Sequence, residues 1–127
     1  MCSSDLVSLL FALDVQMAAV EKETPDARYA RHAAMMRSCT SWAKRVQASG
    51  AEISLTARDG TYSPSVTCIR VKENGPVLRA MRERGFELGG GQAELSKTSI
   101  RVGHMGDHTV GGVEAMLAVL EDVLRKR

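Results

Sequence analysis

Aromatic side chains are few in this sequence of 127 residues, which has one Trp, two Tyr and two Phe. The core must therefore be built from aliphatic side chains and from some of the seven methionines. The three cysteines, Cys2, Cys39 and Cys68, lie far apart and form no Cys-x-x-Cys pair, so neither a disulfide framework nor a zinc site is predicted. This cysteine usage fits a reducing, cytoplasmic compartment.

Long apolar runs and a strong net charge are also missing. The stretch Leu6–Leu13 follows Asp5 and is ended by Asp14 and Gln16, so it is too short to cross a membrane and lacks the basic start of a signal peptide. A net charge of +2 with unclustered basic residues argues against a nucleic-acid partner. At this length we expect one domain without a membrane segment.

Helical periodicity dominates the first 50 residues. Apolar residues recur there at three- and four-residue spacing, and a residue within Ser3–Asp5 is placed to cap the first helix. Thr24 and Pro25 supply the cap and the first position of a second helix, which Gly50 ends. The apolar positions that share a face are Leu6, Leu9, Leu10, Leu13, Met17 and Val20 in the first helix, and Tyr29, Ala33, Met36, Ala43 and Val46 in the second.

Short strands and helices alternate after Gly50. Three glycines in a row predict a loop at Gly89–Gly91, because glycine loses the most entropy inside an element. The order of elements predicts an α+β fold, with residues 1–50 as two helices and residues 51–127 as a core in which helices cover one face of a small antiparallel or mixed sheet. The expected elements are strands at Ile53–Leu55, Ser65–Lys72, Phe86–Leu88 and Thr98–Val102, and helices at Val77–Arg84, after the break at Asn74–Pro76, and Val110–Arg127.

Sequence motifs for catalysis or nucleotide binding are absent or incomplete. The segment Gly91–Thr98 approaches a phosphate-binding P-loop, but its lysine leads into a predicted strand, so we expect a flexible loop. There is no Gly-x-Ser-x-Gly elbow. Cys68 lies in the strongest predicted strand, where we expect a buried, unreactive side chain. The sequence therefore predicts no catalytic residue.

The three histidines can all be interpreted as loop, packing or surface residues. His104 and His108, with Asp107 between them, have a spacing that binds metals on a helix, but the neighbouring glycines argue against a helix and no further ligand is evident. We expect both to be loop histidines without a metal. His32 is interpreted as a packing or surface residue of the second helix, and the sequence assigns a chemical role to none of the three.

Arg101 is the candidate ligand-binding residue. Alternation in the predicted strand Thr98–Val102 puts Ile100 and Val102 on one face and Arg101 on the other. If the two apolar residues face the core, Arg101 faces away from it and can form a two-pronged pair with a carboxylate. A solvated arginine at the sheet edge also fits the pattern, so the residues alone leave both interpretations open.

The segment Arg101–Gly106 reads Arg-Val-Gly-His-Met-Gly and resembles the Arg-Ile-Gly-His-Met-Gly motif near the end of class V aminotransferases of the alanine–glyoxylate, serine–glyoxylate and serine–pyruvate group. Its setting is similar too, because a helix-ending Arg-Gly, a short strand and a glycine-rich segment precede it and a terminal helix follows. Together the matches span nearly the whole chain. The others are Arg84-Gly85, Phe11–Asp14 (family Tyr-Ala-Leu-Asp), Arg31-His32 and Ser63–Thr67 (family Ser-Pro-Thr-Val-Thr).

This resemblance implies the small C-terminal domain of a fold-type I transaminase. Such an enzyme uses pyridoxal phosphate, held by a lysine of its large domain, to move an amino group between a small amino acid such as alanine or serine and a 2-oxo acid such as glyoxylate or pyruvate. The motif arginine pairs with the substrate carboxylate, and Arg101 inherits that role by position. The resemblance assigns no catalytic, cofactor-binding or metal-binding residue to this chain.

Compared with the family, we expect no large domain before Met1, and the five lysines of this sequence do not match the cofactor-lysine segment. We therefore expect this chain alone to be inactive. The first helix should expose an apolar face for a large domain or a homodimer partner. The alternative is a non-enzymatic module that binds carboxylates or proteins, while cysteine desulfurase-like chemistry is disfavoured by the Gly-His-Met-Gly pattern.

Overall fold

The computed structural model of the chain describes residues 3–126, with side chains from Leu6 onward. Cys2 and the predicted cap within Ser3–Asp5 therefore lie outside the described residues and side chains. The contacts divide the chain into two compact units, one that ends at Arg31 and one that begins at His32. The elements are α1 (Ser3–Glu23), α2 (Pro25–Ala48), β1 (Ser54–Leu55), β2 (Val66–Arg70), α3 (Asn74–Glu83), β3 (Gly89–Gly90), β4 (Ser99–Gly103) and α4 (Val110–Arg125).

The first unit consists of α1 and the start of α2. Thr24 separates the two helices with a φ of 73°, and its hydroxyl accepts a hydrogen bond from the Ala27 amide at 3.3 Å, which is the predicted cap. Most large apolar side chains of α1 are half exposed or more, and they surround more of the helix than one face. They are Leu6, Val7, Leu9, Leu10, Phe11, Leu13, Val15 and Met17, with exposed fractions between 50% and 69%.

The second unit contains an antiparallel sheet with the strand order β1-β2-β4-β3. Strands β2 and β4 pair over five residues at the centre, in a register that places Cys68 opposite Arg101. On the other side of β4, Gly89 of β3 also lies opposite Arg101. The predicted α+β class and antiparallel sheet are therefore confirmed.

Helices cover one face of this sheet, as predicted. The interior is aliphatic and contains three methionines, which follows from the scarcity of aromatic residues. The main buried side chains are Met35, Cys39, Trp42, Ala43 and Val46 of α2, Val77 and Met81 of α3, Val113, Met116, Leu117, Leu120 and Val123 of α4, and Ile69, Ile100 and Val102 of the sheet. In the described part of the chain, no helix is both long and apolar enough to span a bilayer.

Three details of the sequence prediction are wrong, one each in α2, in the third strand and in the third helix. The core face of α2 includes Met35, Cys39 and Trp42, whereas Met36 is only half-buried and Tyr29 is 67% exposed, because tyrosine and methionine are tolerated at the surface. The third strand is not Phe86–Leu88 but Gly89–Gly90. The third helix also begins earlier than predicted, at Asn74, with Pro76 in its first turn.

Candidate functional site

Arg101 lies on the sheet face opposite the helices. Its neighbours in β4, Ile100 and Val102, are buried in the core, with exposed fractions of 0% and 1%. Because side chains alternate along a strand, the half-buried Arg101 side chain emerges on the other face, in the orientation expected from the sequence.

The guanidinium group of Arg101 is anchored to the edge strand. Its Nε donates a hydrogen bond to the carbonyl oxygen of Gly90 at 2.7 Å. A Cβ atom on Gly89 would lie 3.4 Å from that Nε and 3.5 Å from Nη2, so the missing side chain leaves the flank of the guanidinium open. The predicted glycine loop is therefore wrong for Gly89 and Gly90. Glycine costs entropy in a strand, and at Gly89 the absent side chain leaves space beside the guanidinium group.

The end of the guanidinium group that carries Nη1 and Nη2 is available to a ligand. Within residues 6–126 no carboxylate forms an ion pair with Arg101, although Arg45, Arg84 and Arg125 each have one. The only hydrogen bond of the Arg101 side chain in this part of the protein is the one from Nε to Gly90. Nε therefore holds the plane of the group, while the two terminal nitrogens form a fork suited to two carboxylate oxygens.

The segment that approaches a P-loop forms a tight turn beside this site. Gly91 lies so close to the turn that a Cβ atom there would be 2.0 Å from the Leu95 carbonyl oxygen and 2.3 Å from Ser99 Oγ. Ser99 Oγ donates to that same carbonyl at 3.0 Å, and the Asn74 amide donates to the carbonyls of Ser96 and Ser99. The turn leads into β4 and not into a helix N-terminus, which agrees with the prediction against a phosphate loop.

His104 lies in the loop after β4, as expected from the sequence, but it is a buried structural residue. Its side chain is fully buried, with Nδ1 3.1 Å from the Pro64 carbonyl oxygen and Nε2 2.8 Å from Thr67 Oγ1. A carbonyl only accepts hydrogen bonds, so Nδ1 carries the proton and Nε2 accepts from the Thr67 hydroxyl. Burial lowers the pKa of His104, which favours this neutral ring. No local pattern indicates this burial, because the partners of His104 lie 37 and 40 residues away.

The other residues singled out from the sequence have different surroundings. His32 Nε2 lies 3.3 Å from the Gly106 carbonyl oxygen, so this half-buried ring connects α2 to the loop between β4 and α4. His108 is exposed. Among the residues that the structure describes, no group of three His, Cys, Asp or Glu side chains is placed to hold a metal ion.

Cys68 corrects a further prediction, since it is half-buried on the Arg101 face and not buried in the core. The core cysteine is Cys39, whose thiol pKa is raised by burial to about 11. The immediate surroundings of Arg101 are therefore small: Cys68 on one side and Gly89 on the other. Such a site supplies one cation for an anionic group, and these neighbours supply no amine that could hold a carbonyl cofactor.

Comparisons with known proteins give two sequence relatives and several structures of the same fold. No protein-family model matches the chain. It is 29% identical over 121 residues, 93% of its length, to the soluble hydrogenase small subunit of Synechococcus sp. (strain PCC 6716). The chain spans 30% of the length of that relative.

The solved structures with the same fold include two aminotransferases. The alanine–glyoxylate aminotransferase from Nostoc sp. matches with a TM-score of 0.66 and 26% identity, over 85% of this chain and 29% of that one. The ureidoglycine–glyoxylate aminotransferase from Bacillus subtilis matches with a TM-score of 0.72 and 24% identity, over 86% of this chain and 28% of that one. In each case the chain spans less than a third of the similar protein.

Proposed function

Since the chain has the fold of the C-terminal small domain of class V aminotransferases, as its sequence indicated, we propose that it is the substrate-binding segment of a transaminase. The proposed reaction moves an amino group between alanine or serine and glyoxylate or pyruvate. The fold likeness to two glyoxylate aminotransferases supports this reaction class. A cytoplasmic location is part of the proposal and follows from the cysteine usage.

Arg101 carries the proposal. In it, Nη1 and Nη2 each donate a hydrogen bond to one oxygen of the substrate carboxylate, while Nε remains bonded to the Gly90 carbonyl. Charge-assisted bonds of this kind contribute roughly 1.5–3 kcal/mol each, and a planar group fixed in advance loses little entropy when it binds. The observation that supports this role is the half-buried guanidinium group of Arg101. Its Nε is hydrogen-bonded to the Gly90 carbonyl, while Nη1 and Nη2 have no carboxylate partner among residues 6–126.

Pyridoxal phosphate is the proposed cofactor, and when bound it withdraws electrons from the amino-acid carbon so that its proton and amino group can be transferred. Its lysine, its pyridine partner and its stacking aromatic are proposed to belong to a large domain outside residues 1–127. The role of this chain is then to hold the carboxylate and orient the substrate. No residue of the chain is proposed to be catalytic, cofactor-binding or metal-binding, and the chain alone is expected to be inactive.

The partner surface belongs to α1 in this proposal. Its exposed apolar side chains would pack against the large domain or against a second copy of the chain. The alternative function, a non-enzymatic carboxylate-binding or protein-interaction module, uses the same fork on Arg101. The two differ in one measurement, because only the transaminase segment restores turnover when it is mixed with a large domain carrying the cofactor.

The first test is a titration of the chain with pyruvate, glyoxylate and alanine, followed by NMR. We expect saturable shifts of the Arg101 side-chain signals. Arg101→Gln removes both charge-assisted bonds and should weaken binding by at least about 10- to 100-fold, the factor that the loss of one such bond implies. Arg101→Lys keeps the charge without the fork and should also weaken binding. Arg70→Gln is the matched control, because Arg70 is an exposed arginine on the neighbouring strand. Equal affinity in wild type and Arg101→Gln would refute the role of Arg101.

A further inference from the structure

A buried hydrogen-bonded clasp closes the end of the β2–β4 ladder. The last pair of this ladder is Val66 with Gly103, and His104 follows directly. The His104 amide donates to the Ser65 carbonyl at 3.0 Å, its Nδ1 to the Pro64 carbonyl at 3.1 Å, and its Nε2 accepts from Thr67 at 2.8 Å. His104, the first residue after β4, is thus held by three hydrogen bonds to the segment 64–67 at the start of β2.

The position of this clasp matters because Arg101 depends on the register of the same ladder. In the observed pairing Thr67 opposes Val102 and Cys68 opposes Arg101. A slip of one residue exchanges the two faces of a strand, so it would turn Arg101 toward the helices and Val102 outward. The bond from the Arg101 Nε to the Gly90 carbonyl joins β4 to β3, on the other side of β4, and it would be lost if β4 turned over in this way.

Apolar packing opposes a slip of one residue, because that slip would expose Val102, but it does not distinguish between registers that keep the same two faces. Apolar contacts have no preferred direction, so Ile69, Ile100 and Val102 can form a buried cluster in more than one arrangement. The ring of His104 differs, because a buried imidazole that loses its partners leaves polar atoms without hydrogen bonds. Both of its ring nitrogens find partners at the observed register. A buried polar group can therefore specify the register, which is its best-established role.

We propose that His104 is a positioning residue for Arg101, and that its clasp with Thr67 and Pro64 holds the end of β4 in the β2–β4 register, and with it the strand from which the guanidinium reaches the Gly90 carbonyl of β3. The significance for carboxylate binding rests on the function proposed above, but the positioning itself does not. His104 has no contact with a ligand in this role and acts only through the strand.

The test compares the two partners of the clasp with conservative controls. Thr67→Val removes the hydroxyl at nearly constant shape, Thr67→Ser restores it, and His104→Leu removes both ring nitrogens. Ile69→Val is the matched control, since Ile69 is the next core-facing residue of β2 and lies outside the clasp. The first readout is hydrogen exchange of the Arg101 Nε–H, which reports its bond to Gly90 without any ligand.

We expect on the order of tenfold faster Nε–H exchange in Thr67→Val and His104→Leu, as the loss of a buried hydrogen bond implies, and wild-type exchange in Thr67→Ser and Ile69→Val. Wild-type exchange in Thr67→Val overturns the inference, as does an equal acceleration in Ile69→Val. If His104→Leu does not fold, the wild-type protein still gives a decisive result. Its imidazole nitrogen spectrum must show a neutral ring protonated on Nδ1, and protonation on Nε2 overturns the clasp.

A pyruvate titration of the same variants separates this inference from the proposed function. Binding by wild type and by Thr67→Ser, with a loss in Thr67→Val, supports both. If wild type fails to bind while the exchange pattern holds, the proposed function fails and the positioning role stands. If wild type and Thr67→Val bind equally well with equal exchange rates, the positioning role fails and the proposed function stands.

Discussion

The three consecutive glycines beside Arg101 offer a sharp comparison, because the same Gly→Ala change meets different surroundings at each. At Gly91 the new Cβ would lie 2.0 Å from a backbone oxygen of Leu95 and 2.3 Å from Ser99 Oγ. At Gly90 the nearest atom is 3.5 Å away, which is ordinary contact. None of the three glycines has a positive φ, so backbone strain does not distinguish them.

The expected costs follow from these distances. Overpacking costs about 1–3 kcal/mol, and the alanine at position 91 also displaces a carbonyl that accepts from Ser99, which adds about 1 kcal/mol. We therefore expect Gly91→Ala to lose ~3 kcal/mol of unfolding free energy, which lowers Tm by about 10 °C for a domain of this size. Gly90→Ala should stay within about 1 kcal/mol of wild type, since alanine also reduces the entropy of the unfolded chain.

Thermal and urea unfolding of the variants, followed by circular dichroism, measure this difference. A Gly91→Ala protein as stable as Gly90→Ala would show that the turn over Ser99 is not packed as closely as described. Gly89→Ala provides a separate result, because its Cβ would lie 3.5 Å from Arg101 Nη2 in ordinary contact. We expect this variant to fold normally but to bind pyruvate more weakly than Gly90→Ala does.

Two further predictions concern other surfaces. Hydrogen bonds from Arg45, together with Arg125, lower the Glu121 pKa from 4.5 to about 2, so its stabilising effect is complete above pH 4.5 and is lost as the pH falls toward 2. Glu121→Gln should flatten this acid limb in urea titrations, and an unchanged limb would contradict the assignment. In α1, Leu10→Glu with Leu13→Glu should abolish concentration-dependent association measured by light scattering, and association equal to wild type would exclude α1 as the surface.

Local signals in the sequence predicted much of the fold. Alternation placed Ile100 and Val102 in the core and Arg101 on the other face, because a strand has only two faces. The capping pair Thr24 and Pro25 marked the start of α2 for a similarly local reason. Such features depend on neighbours a few residues apart, so they can be inferred without knowledge of the tertiary structure.

The features that escaped prediction depend on contacts between distant residues. The burial of His104 was missed because its partners, Thr67 and Pro64, are 37 and 40 residues away. The strand at Gly89–Gly90 was missed because intrinsic preference disfavours glycine in strands, whereas this strand forms by pairing with β4, further along the chain. The anchor of the candidate site was therefore invisible to sequence patterns, although its arginine was identified.

The sheet is protected from extending into another molecule. Its two central strands have five residues each, whereas both outer strands, β1 and β3, have only two. A strand this short exposes few free amides and carbonyls, which is one way in which natural proteins prevent edge-to-edge aggregation. Assembly through the edges of this sheet is thus disfavoured, and a fibril seeded by its native state would first have to unpair β2 from β4.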